Sequence, residues 1–303
     1  MTSIVLYCCT YRRDIRRLAL LWESIKKFNQ DKIPFFISVP SVDVEFFKSF
    51  FQGESIEILD EVDILKSNSR LNLDAIYFEN MGKKQQQVIK SEFWRLGIAP
   101  NYLVLDSDCL FLRDFGLRDF LVEEKTPYSV VHEGKTLLQF TSRFGPQRVR
   151  SYWRQDRAPI QQQLDRPGVA YDYGYAPFLW SSEVWRSLDE EYLRPRGINL
   201  WDAIVQNPSE FTWYGESLLK FRAIPIWPRG ELFKHYHYEN EYWLDKKLRI
   251  KEEQIALDYL GVVYQSNWDL SMDYGGATKN LRSRFARQLR RRAKWLKFHL
   301  FNS

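Results

Sequence analysis

A short, wholly apolar run, Ile4-Val5-Leu6-Tyr7-Cys8-Cys9, opens the chain. After a polar turn at Thr10 to Asp14, apolar residues recur at helical spacing (Leu18, Leu21, Trp22, Ile25, Phe28), and a second apolar run lies between Pro34 and Pro40. A strand covered on both faces needs no polar alternation, and the helix that carries the chain back to a parallel neighbour needs one apolar stripe. Strand, helix and strand within about 40 residues therefore predict the opening of a parallel α/β sheet. Ile56-Glu57-Ile58-Leu59 reads as a third strand. Gln85 to Leu96 reads as a helix with Val88, Ile89, Phe93 and Leu96 inward, stopped by Gly97. Tyr102-Leu103-Val104-Leu105 is a further fully apolar strand. From about Gly134 to Gly168 the chain is rich in Arg and Gln without periodicity, which predicts a long, partly mobile insertion over a site.

The 303 residues, 45% hydrophobic, with 21 Phe, 17 Tyr and 11 Trp, supply a large core and exclude a disordered or low-complexity chain. No internal repeat and no Gly/Ser/Pro-rich linker divides them, so one α/β domain is expected over 1–278, with a separate tail over 279–303. Apolar runs such as Leu18 to Trp22 are far shorter than the roughly 20 residues that cross a bilayer. Arg12, Arg13, Asp14, Arg16 and Arg17 break the only place for a signal peptide's apolar stretch. A cytoplasmic location follows as the expectation. Three cysteines, Cys8, Cys9 and Cys109, form neither a disulfide framework nor a zinc spacing.

The formal charge of +5 is unevenly placed. From Tyr274 onward there are nine basic residues and no acidic one, whereas the 35 basic residues before them face 39 acidic ones. Basicity belongs to the tail. On a helix, Leu281, Phe285, Leu289, Ala293, Leu296 and Leu300 fall within an arc of about 120°, most of the arginines lie elsewhere, and Trp295 and Phe298 add interfacial anchors. That composition suits a helix lying on an anionic membrane surface, which would make the protein peripheral on the inner face of the cytoplasmic membrane, and does not call for nucleic acid. The alternative is a C-terminal helix whose stripe packs on its own domain.

Asp106-Ser107-Asp108 ends the apolar strand at Leu105. Ligands of open α/β sheets bind beyond the carboxyl ends of the strands. Residues i and i+2 of an extended chain aim to one side, and paired hard oxygens suit Mg²⁺ or Mn²⁺. Asp106 and Asp108 are thus candidate ligands for a divalent ion that also holds a diphosphate; solvated turn residues are the plainer reading. The helix before this strand carries Gln86 and, one turn on, Lys90, a cation suited to the diphosphate.

Strand, Asp-Xaa-Asp, strand, preceded by a helix of the form QQxxxK, resembles the nucleotide-sugar-dependent glycosyltransferases of the GT-A fold. More particularly, the chain is similar to a bacterial family of glycosyltransferase-like proteins described chiefly as a domain of unknown function. The likeness spans about Ser3 to Tyr238: the first strand with Tyr11, Arg12 and Asp14, the run Gln86 to Phe111, Gly174 to Trp185, and Ser209-Glu210-Phe211-Thr212-Trp213-Tyr214-Gly215. It implies a GT-A-like (Rossmann-like) mostly parallel central sheet flanked by helices, and an enzyme, a glycosyltransferase of hexosyltransferase type, serving bacterial surface-polysaccharide or lipopolysaccharide synthesis. A nucleotide-sugar donor, most simply UDP-linked, would give its sugar to a saccharide or lipid-linked saccharide acceptor.

The resemblance also implies roles. Thr10, Tyr11 and Arg12 would lie near base and ribose, although Thr10 or Asp14 capping the following helix is an equal reading. A downstream histidine would complete the metal shell, His237 ahead of His235, although packing among Tyr236 and Tyr238 is the commoner fate of such histidines. Glycosyl transfer needs a base for the acceptor hydroxyl or a group that stabilises a cationic sugar. Glu210, in the shared motif, is the first candidate; Glu216 and Asp172 are the others, and a helix-start role for Glu210 stays open. Trp213 and Trp227 flank that side and could stack on sugars. Two rivals remain: a haloacid-dehalogenase-like phosphatase, whose Asp-Xaa-Asp normally opens the chain, and a non-enzymatic adaptor acting through the basic tail.

Overall fold

The computed structural model describes residues 2–78, 82–134, 157–236 and 239–264, together with 289, 292, 293 and 296. In chain order its strands are β1 (Ile4–Cys9), β2 (Phe35–Val39), β3 (Ile56–Asp60), β4 (Asn101–Leu105), β5 (Cys109–Phe111), β6 (Ser129–Val130), β7 (Phe178–Ser181), β8 (Pro228–Arg229), β9 (Phe233–His235) and β10 (Gly261–Val263). The helices used below are α1 (Ile15–Phe28), α2 (Val44–Phe50), α3 (Glu61–Lys66), α4 (Leu73–Phe78), α5 (Gly82–Glu92), α6 (Ser182–Leu188), α7 (Leu200–Gln206), α8 (Glu210–Phe221), α9 (Glu239–Lys247) and α10 (Glu252–Asp258). The architecture is mixed α/β, with a mostly parallel central sheet flanked by helices.

The chain forms two compact units that alternate along the sequence. The first comprises Met1–Cys9, Asp31–Leu105 and Gly116–Glu231. Its five-stranded sheet has the order β3-β2-β1-β4-β7, in which β1 to β4 run parallel and β7 runs antiparallel beside β4. Every residue of β1 and β4 is buried, which is why both read as unbroken apolar runs. β1 pairs with β2 on one side and with β4 on the other, in register Cys8↔Leu105. Strand order therefore reverses at the carboxyl ends of β1 and β4. Thr10 and Asp106 are the residues the chain reaches just past those ends.

Aromatic rings fill the core of this unit. Tyr7 stacks on Phe93 at 3.9 Å between centroids, and its hydroxyl pairs with Ser38 Oγ at 2.8 Å, so a polar atom is buried with its bond made. Trp180 packs among Tyr102, Trp185 and Tyr214. The helix predicted over Gln85 to Leu96 is α5 followed by a tighter turn over Phe93–Leu96, ended by Gly97 at φ 65°, a left-handed position that glycine occupies without strain. Most of the expected insertion, residues 135–156, lies outside the described residues. Residues 157–163 are helical and deliver Ile160 and Leu164 to the core, an order that the local sequence does not announce.

The second unit comprises Thr10–Gln30, Asp106–Phe115 and Leu232–Ser303. Helix α1 buries Leu18, Leu21, Trp22 and Ile25 of the stripe foreseen from spacing, while Phe28 at its end is half-buried. A three-stranded sheet has the order β5-β10-β9, with β10 antiparallel to β5 and parallel to β9. Gly261 in β10 is dictated by packing: a Cβ there would stand 2.3 Å from Leu110 O and 2.4 Å from the Phe233 ring. Tyr236, Tyr242, Trp243, Val262 and Tyr264 make a separate small core. Of the tail, only 289, 292, 293 and 296 are described; they are helical and exposed, Leu289 at 51% and Leu296 at 52%. No helix among the described residues is long and apolar enough to cross a membrane.

Candidate functional site

In the second unit, the start of α1 and the Asp106–Asp108 turn lie together. The turn is closed by Cys109 N donating to Asp106 O at 3.0 Å, and tied to β10 by Tyr264 N donating to Asp108 O at 3.1 Å. Asp106 and Asp108 are half-buried, Ser107 is buried, and one Asp108 carboxylate oxygen is enclosed. Asp14 joins this group. It pairs with Arg17 one turn along, takes a hydrogen bond from Ser107, and lies near enough to Asp106 to feel its charge. Burial holds the Asp14 carboxyl above the usual carboxylate range against the opposing pull of Arg17 and Ser107, and Asp106 pushes the same way as burial.

The helix-cap reading of this turn is not what forms: Asp14 makes no side-chain cap bond to the first turn of α1. Thr10 is 3% exposed, and its hydroxyl has no hydrogen-bond partner among the described residues. A buried hydroxyl without a partner costs roughly 1–3 kcal/mol. Tyr11 and Arg12, by contrast, are exposed. Beside the turn, Arg17, Leu20, Ser107, Asp108, Cys109, Leu110 and Tyr264 line a small cavity.

His235 is buried at the end of β9. His237 lies outside the described residues. Among those described, no cluster of three or more His, Cys, Asp or Glu side chains is arranged to hold a metal. Two carboxylates do fit a hard divalent ion that keeps water or phosphate oxygens in its other positions, the usual habit of Mg²⁺.

The other candidates belong to the first unit. Lys90 is 4% exposed on α5, and Gln86 Nε2 donates to Cys9 O at 3.3 Å, which fixes that helix against the end of β1. Glu210 is 6% exposed and is the first residue of α8. Glu216, fully buried nearly two turns later, is gripped by Arg166, whose Nε and Nη2 bond its two oxygens, and by the Tyr173 hydroxyl at 2.6 Å. Asp172 accepts from Arg157 Nη2 at 3.0 Å and from Gly174 N at 3.1 Å. Trp213 is wholly in the core and donates to Asn207 O, whereas Trp227 is 48% exposed.

Sequence reading missed the clasps on these carboxylates. Arg157 lies 15 residues from Asp172 and Arg166 lies 50 from Glu216, so no local spacing connects either pair. Glu61, first residue of α3 at the carboxyl end of β3, was also unforeseen. Burial, then the neighbouring Asp60, pushes its carboxyl up to about 7, with a Tyr77 hydrogen bond opposing. Gln85 Nε2 donates to it at 3.3 Å.

A family model matches residues 1–267 of the chain. The chain belongs to DUF6492, a family of unknown function. The match takes in both groups of residues described above, so they are features of a DUF6492 protein and not of an appended segment. No curated protein matches the sequence. Among solved structures, this DUF6492 chain is similar to the apo form of mouse xyloside xylosyltransferase 1, at 10% identity and a TM-score of 0.45, over 87% of this chain and 98% of that one.

Proposed function

We propose that this protein is a metal-dependent glycosyltransferase that moves a sugar from a nucleotide-sugar donor, UDP-linked in the first instance, to a saccharide or lipid-linked saccharide acceptor of the bacterial surface. The observation that carries the reading is the grouping of Asp14, Asp106 and Ser107 in the turn that ends at Asp108, with the buried Thr10 hydroxyl, unpartnered among the described residues, just past the end of the neighbouring strand β1. The residue pair follows the strand at which sheet order reverses. A sheet end of that kind is where α/β proteins bind phosphorylated ligands, and an orphaned buried hydroxyl is explained by a ligand that completes its bond.

Asp106 and Asp108 would hold Mn²⁺ or Mg²⁺, with His237 as a third ligand. Such an ion supplies positive charge against the leaving diphosphate. Thr10 donates to or accepts from the nucleotide, and the exposed Tyr11 ring and Arg12 guanidinium serve base and ribose. Lys90 adds a cation for the diphosphate. Glu210 takes the acceptor hydroxyl's proton. Glu216, held by Arg166 and Tyr173, and Asp172, held by Arg157, are the alternatives for that role. The C-terminal segment, whose Leu289 and Leu296 are exposed, rests on an anionic membrane surface where lipid-linked acceptors are confined.

The test is a panel of nucleotide sugars with the purified full chain and Mn²⁺ or Mg²⁺, read by released nucleoside diphosphate. Turnover of one donor, lost in excess chelator, is expected. Chelator-resistant turnover would remove the metal, and hydrolysis of simple phosphomonoesters alone would replace a transferase with a phosphatase.

A further inference from the structure

The second unit carries a surface whose character neither the tail nor the Asp106 turn explains. Lys246-Lys247-Leu248-Arg249-Ile250-Lys251 places four cations and two aliphatics in six successive residues, and all six are exposed. Leu248 is 61% exposed and Ile250 36%, while Leu257, on the helix that follows, is 81% exposed. Large aliphatics that remain in water beside cations are what an interfacial contact needs, since the cations attract lipid phosphates and the aliphatics enter the acyl boundary.

The backbone presents this segment in one fixed shape. Helix α9 closes with Arg249 N donating to Lys246 O at 3.2 Å and Ile250 N donating to Asp245 O at 2.9 Å, the paired bonds of a Schellman turn. Arg249 holds the left-handed position at φ 57°, where glycine would be unstrained. An arginine kept at a glycine position puts a cation at the apex of the turn between Leu248 and Ile250.

Acidic residues stand at both ends of the run, and the tertiary structure draws two of them away. Asp245 accepts from the Tyr236 hydroxyl at 2.9 Å and lies 3.5 Å from Lys234 Nζ. Glu252 accepts from the Tyr264 hydroxyl, and the two tyrosine rings stack at 6.4 Å between centroids. Over 246–253, four cations thus face Glu252, turned onto Tyr264, and the exposed Glu253.

We infer that this basic and aliphatic knuckle, Lys246 to Lys251, is a docking surface for an anionic lipid bilayer, independent of the C-terminal tail. Lys246, Lys247, Arg249 and Lys251 meet lipid phosphates, while Leu248 and Ile250 enter the headgroup boundary. The inference does not rest on the chemistry at Asp106 and Asp108; it gives the chain a second point of membrane contact besides the tail.

Flotation of the full-length chain with mixed phosphatidylglycerol–phosphatidylcholine vesicles, and with phosphatidylcholine alone, tests it. Lys246→Glu with Lys247→Glu should lower partition to the anionic vesicles at least tenfold, and Leu248→Ser with Ile250→Ser should lower it several-fold, with melting temperatures read alongside to separate lost docking from lost folding, since Lys246 lies over the Tyr242 ring. Arg249→Gly relieves the left-handed strain and removes one cation, so partition should fall about fivefold while the melting temperature holds or rises. Full-strength partition by these variants overturns the inference, as does tighter binding of the parent chain to duplex DNA than to vesicles. Arg290→Glu with Arg291→Glu and Arg292→Glu separates the tail: if that variant alone loses vesicle binding, the tail proposal stands and the knuckle does not.

Discussion

Arg166 binds both carboxylate oxygens of Glu216, through Nε to Oε2 and through Nη2 to Oε1, with both side chains nearly removed from solvent. The same guanidinium holds the carbonyls of Pro167 and Val169, so one ion pair fixes the chain that leads to Tyr173 and Gly174. Gly215, the neighbour of Glu216, lies flat against the Tyr173 ring, where a Cβ would approach to 2.1 Å.

Breaking one side of a buried pair leaves the other charge without compensation, at a cost of about 3–5 kcal/mol. Glu216→Gln should therefore lower stability in urea unfolding by an amount of that order. A variant that keeps its unfolding midpoint but loses turnover would mean that Glu216 works on substrate and not as a structural partner of Arg166.

Asp106→Ala and Asp108→Ala should each abolish transfer while the far-ultraviolet dichroism and melting temperature stay near those of the parent. Both residues are half-buried at a turn whose closing bonds are made by main-chain atoms. Full turnover by Asp108→Ala would end the metal assignment.

Glu210→Gln should reduce kcat by roughly 10²-fold or more with little change in donor affinity, as removal of a general base does. Donor binding is measured separately by titration of the nucleotide sugar. If turnover is unchanged and only the melting temperature falls, Glu210 serves the start of α8, whose first turn it occupies.

Glu61 makes stability depend on pH. Its carboxyl is raised from 4.5 to about 7, so between those values the folded chain holds a proton that the unfolded chain has released. Stability is then full below pH 4.5 and is lost as pH rises toward 7, by at most about 3 kcal/mol. Glu61→Gln should flatten this slope and melt higher than the parent at pH 8. Equal melting temperatures at pH 5 and pH 8 in the parent would contradict it.

The sequence by itself determined the frame. β1, α1, β2 and β4 were legible because a buried strand must be largely apolar and a covering helix must carry a stripe at its own period; burial of Leu18, Leu21, Trp22 and Ile25 follows that rule. The place of Asp106 and Asp108 beyond β4 was legible for the same reason, since an apolar run that stops at two acids marks where a strand leaves the core. Tertiary structure decided what periodicity does not encode. β7 lies antiparallel against β4 although 72 residues separate Leu105 from Phe178, and pairing at that distance depends on which surfaces meet after collapse. Likewise, the sequence offers Glu210, Glu216 and Asp172 as candidate carboxylates, with Glu210 ahead by its motif, and says nothing of their partners. Only folding brings Arg166 onto Glu216 and Arg157 onto Asp172, because the counter-charge that offsets the cost of burying a carboxylate comes from a distant part of the chain.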